Sequence, residues 1–422
     1  MVRIYYSLYD RMFSETRLLQ AFRKVKSNKG APGIDGQTVA DFAEKAPEEV
    51  ALLVRELQEK SYRPQPVRRV EIRKESGGVR GLGIPTVRDR VVQQALLEIL
   101  QPIFDPEFHP SSYGYRPGRD CHQAIAKATL FIRRYQRNWV VDMDLSKCFD
   151  TLNHDLILRA FRRRIADGSI LGLIRMFLQS GVLLADGWRA SEEGSPQGGV
   201  ISPFIANVYL DAFDRRMKAR GHRIVRYADD ILILTGSKSA AHHALKVARG
   251  ILEGELLLTV NEQKTSIVHS LRGVKFLGVV IHSGYTRIRD EKVKKFKDNV
   301  RSITRRNSPV NLEKVIQDLN PLTRGFANYF RIANCQSVFR ELDQWIRRRL
   351  RSKQLKQWKK PKRLHRRLRQ LGYQGEFQAI KMSAWRSAAS PLAHYAIPNR
   401  HLGEMGLFEM GRVKTGILPQ VT

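Results

Sequence analysis

The feature that most constrains this chain is Arg223-Ile-Val-Arg-Tyr-Ala-Asp-Asp-Ile-Leu-Ile-Leu234, where two short apolar runs flank Asp229-Asp230. The pattern predicts two antiparallel strands and a tight turn carrying adjacent carboxylates. Like charges that close resist ionisation unless a cation sits between them or water solvates them. Alone, the pattern also fits a solvated turn tip. A second acidic segment argues against that. Trp139-Val-Val-Asp-Met-Asp-Leu145 predicts a strand with Asp142 and Asp144 on one face, because strand side chains alternate. Laid beside the hairpin, it would bring Asp144, Asp229 and Asp230 to one sheet edge. Carboxylates, waters and substrate phosphates suit Mg²⁺. Two ions about 4 Å apart can stabilise the attacking and leaving oxygens of an in-line phosphoryl transfer. The pattern therefore points to a Mg²⁺-dependent catalytic cluster built from three or more of these carboxylates.

The rest of the composition says what such a catalyst would act on. The 422 residues carry 74 Lys and Arg against 41 Asp and Glu, a net charge of +33. An acidic cluster in so basic a chain implies a polyanionic substrate, nucleic acid before an anionic membrane. No apolar run is long enough to span a membrane, and no apolar signal segment follows Met1, so a cytoplasmic protein is expected. Cys121, Cys148 and Cys335 are too scattered for a disulfide framework or a zinc site and read as reduced.

Along the chain, Leu18, Leu19, Phe22 and Val25 predict a helix over 15–27, followed by a loop at Gly30-Ala-Pro-Gly-Ile-Asp-Gly36 and a helix from Pro47. Residues 66–84 read as a basic hairpin turning at Ser76-Gly77-Gly78, with Lys74 and Arg80 beside the turn, and 86–104 as a helix. Tyr113-Gly-Tyr-Arg-Pro-Gly-Arg119 interleaves aromatics with arginines. It fits either a turn packed by two tyrosines or a nucleic-acid contact through Arg116 and Arg119. Two helices occupy 155–180, and Gly194-Ser-Pro-Gln-Gly-Gly199 precedes an apolar helix from Ile201 to Leu210. A helix over 240–253 is followed by strands at Leu256–Val260, Thr265–Val268 and Val274–Ile281. Beyond residue 288 the pattern is helical and basic. Between Arg340 and Arg369 fourteen Lys and Arg face only Glu341 and Asp343. A solvated helix normally mixes both signs, so Arg347, Arg348 and Arg349 are expected to track phosphates.

Tyr227-Ala-Asp-Asp230 resembles the catalytic signature of reverse transcriptases. The blocks around it resemble the reverse transcriptase/maturase proteins of bacterial group II introns: Gly30–Gly36, Gly83-Ile-Pro85 with Asp89-Arg90, Tyr113–Arg119, Asp142–Leu145, Gly194–Gly199 and Lys275-Phe-Leu-Gly278. They occur in that family's order across roughly residues 20–350. The resemblance implies an α+β right-hand polymerase: fingers over 1–138, a palm with an antiparallel sheet over 139–285, an α-helical thumb over 286–370 and a small basic C-terminal segment over 371–422. It implies RNA-directed DNA synthesis from dNTPs on an RNA template, group II intron RNA, with a DNA primer or target. It also implies that Asp144, Asp229 and Asp230 are catalytic and bind two Mg²⁺, with Mn²⁺ as an alternative and the Leu145 carbonyl as a further ligand, while Asp142 is more readily a salt-bridge partner beside the site. Lys74 and Arg80 would close over the triphosphate, Phe149 would lie under the sugar, Gln197 would line the nucleotide pocket and Gly33 would touch template RNA. No Cys/His cluster of the kind that ends endonuclease-bearing members is present. Two other roles fit the same residues: an RNA-binding maturase that aids splicing and retrohoming without needing polymerase activity, and a host-adopted reverse transcriptase of DNA repair or phage defence.

Overall fold

The computed structural model describes residues 3–73, 78–184, 187–189, 193–195 and 198–421, and these form two compact units, up to His269 and from Ser270. In the first unit the helices are α1 (Glu15–Ser27), α2 (Val39–Glu44), α3 (Ala46–Gln58), α4 (Val87–Phe104), α5 (Cys121–Arg133), α6 (His154–Arg162), α7 (Gly168–Gln179), α8 (Ser202–Ala219) and α9 (Lys238–Arg249). Side-chain oxygens cap most of their N-termini: Ser14 for α1, Thr86 for α4, Asp120 for α5, Asn153 for α6 and Asp167 for α7. Each cap satisfies an amide that the helix itself cannot pair. The apolar stripe Leu18, Ala21, Phe22 and Val25 of α1 packs on α4, whose Val91, Val92, Ala95 and Leu96 are fully buried.

Two sheets complete this unit. Strands β1 (Val67–Arg73) and β2 (Val79–Ile84) form an antiparallel hairpin, with Arg68 opposite Ile84. β4 (Val182–Leu184) adds parallel to β1, and β5 (Gly187–Arg189) pairs antiparallel with β4. The second sheet is wholly antiparallel, in the order β6–β7–β3–β8, from β3 (Trp139–Met143), β6 (Arg223–Tyr227), β7 (Asp230–Thr235) and β8 (Ser266–His269). One face of it is covered by α8 and α9, and one core runs from Leu8 to Val260. Leu256–Val260 is not a strand. Leu257 sits at φ 53°, and a single bridge joins Val260 to Leu145.

The second unit opens with a three-stranded antiparallel sheet of β9 (Val274–Phe276), β10 (Val279–Ile281) and β11 (Thr286–Ile288). The run Val274–Ile281, read from sequence as one strand, is therefore a hairpin. Its two-residue turn has Leu277 at φ 44° and Gly278 at φ 82°, the positive pair that a type I′ turn needs. Helices α10 (Asp290–Ile303), α11 (Leu312–Phe330), α12 (Gln336–Trp358), α13 (Pro361–Gln370), α14 (Pro391–Ala396) and α15 (Asn399–Glu404) follow. α12 is the hub. Its buried Asp343 accepts from the Met410 and Gly411 amides at 3.1 and 2.7 Å. Among the described residues no helix is long and apolar enough to cross a membrane.

Candidate active site

The site is a row of side chains across the end of the β6–β7–β3–β8 sheet. Tyr227 pairs with Asp230 across the hairpin, whose turn is Ala228-Asp229 with Ala228 at φ 57°. The β3–β7 register ends at Met143 opposite Ile231, so one further step sets Asp144 across from Asp230. The β3–β8 register ends at Asp142 opposite Ser266, and two further steps set Asp144 across from Lys264. Residues opposite one another share a face of the sheet, so the row reads Tyr227, Asp230, Asp144, Lys264.

Lys264 is a member that sequence reasoning missed. Its Nζ lies 2.8 Å from Asp144 Oδ2, with the lysine 62% and the aspartate 22% exposed. Asn261 fixes the segment that carries it. The Asn261 amide donates to the Asp144 carbonyl at 2.9 Å, its Nδ2 lies 3.4 Å from Asp144 Oδ2, and its Oδ1 accepts from the Lys264 amide at 3.3 Å. Ser146 N–H donates to the Thr259 carbonyl at 2.9 Å. These bonds use the groups either side of Leu145 and not its carbonyl.

The charges are crowded. Burial, then the charges of Asp229, Asp144 and Asp142, push the Asp230 carboxyl up to about 7, with Lys264 opposing. Solvent reaches Asp230, so the neighbouring carboxylates are the firmer cause. Burial and then Asp229 push the Cys148 thiol up to about 12, which leaves it a packing residue. Among the described residues no three His, Cys, Asp or Glu side chains stand close enough to enclose a metal ion, and Lys264 holds one Asp144 oxygen. The donor set still fits a hard divalent cation, since every donor is a carboxylate oxygen. Such an ion would relieve the crowding that raises Asp230.

A buried network holds the turn from behind. Arg226 and Asp214 are both 0% exposed and pair at 2.6 Å. Arg226 Nε also donates to Asp214, and its Nη1 donates to Asn207 Oδ1 at 2.9 Å and to the Ala228 carbonyl at 3.0 Å. A guanidinium offers five donors in a rigid fork, so this one arginine ties α8 to a carbonyl inside the Ala228-Asp229 turn. On the other side, Tyr113 N–H donates to the Arg226 carbonyl and Arg226 N–H to the Ser111 carbonyl, both at 2.9 Å. Gly114 then abuts the turn so closely that a Cβ there would stand 2.4 Å from Ala228 N. The Gly114 carbonyl accepts from Asn207 Nδ2 at 2.8 Å.

The other glycine motifs interlock in the same way. A Cβ on Gly33 would meet the Thr86 backbone at 2.6 Å, and one on Gly198 the Gly83 carbonyl at 2.4 Å. Arg90 closes the first contact by donating to the Pro85 and Ala31 carbonyls at 3.1 and 2.6 Å. Gly33 is thus buried against the start of α4, not displayed on a loop tip.

Several expected contact residues are engaged within the chain. Arg116 has a side chain only 4% exposed and spends all five donors within the chain, on Asp105 and on the Asp105, His109 and Ser112 carbonyls. No donor remains for a phosphate. Arg119 is half-buried over the Tyr113 ring. In the second unit Arg347 faces Glu409, Arg348 lies over Trp385, and Arg349 lies between Trp345 and Trp385 while donating to Thr304. All three arginines are half-buried. Exposed cations of the same run include Lys362, Arg363, Arg366 and Arg369 of α13, whose Leu364 and Leu368 face inward. Phe149 is 7% exposed, and its carbonyl accepts from Ser195 N–H at 2.7 Å, beside the Gly-rich loop. Lys74 and Gln197 lie outside the described residues. Arg80 lies on β2, opposite Ile72.

Residues 72–281 match the family described as reverse transcriptase (RNA-dependent DNA polymerase), and residues 293–372 match the group II intron, maturase-specific domain. Protein YkfC of Escherichia coli is 38% identical over 300 residues, which cover 62% of this chain and 79% of YkfC. The chain belongs to the group II intron reverse transcriptases. The group II intron-encoded protein LtrA of Lactococcus lactis is 30% identical over 344 residues, 65% of this reverse transcriptase and 57% of LtrA. Telomerase from Candida albicans aligns over 75% of the chain and 64% of its own at 13% identity, with a TM-score of 0.43. Enzymes of this family are RNA-directed DNA polymerases that depend on divalent metal. The Asp229-Asp230 hairpin and Asp144 fall within the matched polymerase segment, and α13 within the maturase segment.

Proposed function

We propose that this reverse transcriptase extends a DNA primer on group II intron RNA, with Asp144, Asp229 and Asp230 holding two Mg²⁺. The observation that carries the proposal is the row Asp230–Asp144 with Asp229 in the adjoining turn, backed by the buried Arg226–Asp214 pair. When bound, the cations would lower the pKa of the primer 3′-hydroxyl and offset charge developing on phosphorus. Arg226 and Asn207 fix the turn, so the carboxylates need not reorganise during the reaction. Phe149 would floor the sugar pocket, where a ring leaves no room for a 2′-hydroxyl. The Ser195 amide donates to the Phe149 carbonyl and so fixes the backbone that carries the ring. Lys74 and Arg80 would meet the triphosphate from the β1–β2 hairpin. A maturase role coexists with this one on a different surface, favoured by the one-signed exposed face of α13.

The test is primer extension on an RNA template with Mg²⁺. Wild-type protein should extend, and Asp229→Ala should abolish extension while RNA affinity is retained. Extension by the variant at a sizeable fraction of the wild-type rate would remove the assignment.

A further inference from the structure

Lys264 stands in a place that needs explaining. It is the one cation in a row otherwise built to concentrate negative charge, and it is paired to the carboxylate at the centre of that row. Arg226, a second cation close by, differs in every respect. It is fully buried and consumed by Asp214 and the turn. Lys264 is 62% exposed, so its head can leave for solvent at little cost. Asn261 holds the segment at both ends of the contact, binding the Asp144 carbonyl and the Lys264 amide, so the lysine returns to one place. The effect is a tethered cation over a carboxylate.

We propose that Lys264 is a displaceable counter-ion: without metal its ammonium neutralises Asp144, and a divalent cation gains that oxygen only by displacing it. The proposal rests on the reading that Asp144, Asp229 and Asp230 hold metal. Its consequence is that the free enzyme binds metal weakly and keeps its carboxylates together meanwhile. The ammonium and the ion compete for one oxygen, and a retained positive charge a few ångströms away also repels a dication.

Electron paramagnetic resonance of Mn²⁺, with intact protein and neither nucleotide nor nucleic acid, tests this. Lys264→Met, close in volume and uncharged, should bind Mn²⁺ about threefold to tenfold more tightly than wild type, the scale of an exposed ion pair plus relieved repulsion. Lys264→Arg should stay near wild type, and Asp144→Asn in the Lys264→Met background should erase the gain. Melting curves give a second readout, since Mn²⁺ should raise the melting temperature of Lys264→Met more than that of wild type. Equal or weaker Mn²⁺ binding by Lys264→Met, or an equal gain in Lys264→Arg, would overturn the counter-ion role and leave the metal site standing. Mn²⁺ binding indifferent to Asp144→Asn in every background would overturn the metal site and the counter-ion together.

Discussion

Gly114→Ala is the most direct test of how the Ala228-Asp229 turn is held. The added Cβ would stand 3.0 Å from the Tyr227 carbonyl carbon and 2.4 Å from Ala228 N, the latter about 1 Å inside the 3.4 Å at which ordinary contact begins. Both contacts are backbone, so no side chain can swing away. Neither wall is free to yield. Tyr113 and Ser111 are bonded to β6, the Gly114 carbonyl to Asn207, and the Ala228 carbonyl to Arg226. The least costly response is a shift of the turn, carrying Asp229 with it. A misplacement of about 1 Å costs on the order of 100-fold in rate, while the overpacking itself costs about 1–3 kcal/mol. Single-turnover primer extension should therefore fall about 100-fold with RNA affinity kept. Gly118→Ala in the same motif meets nothing within 4 Å and strains only its own φ of 66°, so it should polymerise near the wild-type rate at a cost of about 1 kcal/mol in stability. A Gly114→Ala enzyme within about threefold of wild type would refute the idea that this motif braces the turn.

Three further perturbations follow from the same geometry. Asp214→Ala strands a guanidinium with no solvent access and should cost about 3–5 kcal/mol; chemical denaturation showing less than about 1 kcal/mol would contradict it. The Asp230 carboxyl titrates near 7, above its ordinary 3.8, so the folded state binds this proton more tightly than the unfolded chain. In chelator its contribution to stability is fully present below about pH 4 and is lost as pH rises towards 7; Asp230→Asn should flatten the melting profile in that window, and an unchanged profile would count against the crowding. Replacing Lys362, Arg363, Arg366 and Arg369 by Gln should reduce the salt slope of RNA binding by about one unit per lost phosphate contact; a slope equal to wild type would make α13 an ordinary solvated face.

What could be read in advance was whatever depends on short-range pattern. The apolar runs around Asp229-Asp230 and the alternation in Trp139–Leu145 specify strands, and strand geometry alone puts Asp142 and Asp144 on one face. Long-range partners were not legible. Arg226 and Asp214 lie on a strand and a helix twelve residues apart, each among other charges, so nothing in the local pattern marks them as partners. Lys264 could be placed only from two strand registers, and the adjacent run Leu256–Val260 imitated a strand. Leu277 concealed a turn because a leucine in the left-handed region leaves no mark in the sequence. For Arg347, Arg348 and Arg349 a count of charges could not say which side of α12 each occupies. Trp345 and Trp385 hold Arg348 and Arg349, and Glu409 faces Arg347.

The glycine contacts bear on how this polymerase can be re-engineered. At Gly33 and Thr86, Gly198 and Gly83, and Gly114 and Ala228, backbone rests almost on backbone, so the spacing between motifs is set by main chain rather than by side chains that can repack. A chimera that imports one motif from a relative with a slightly different loop path has nothing soft to absorb the mismatch. Exchanges should succeed when both members of a contact travel together, and a library built on paired blocks should yield more active enzymes than one that randomises each block alone.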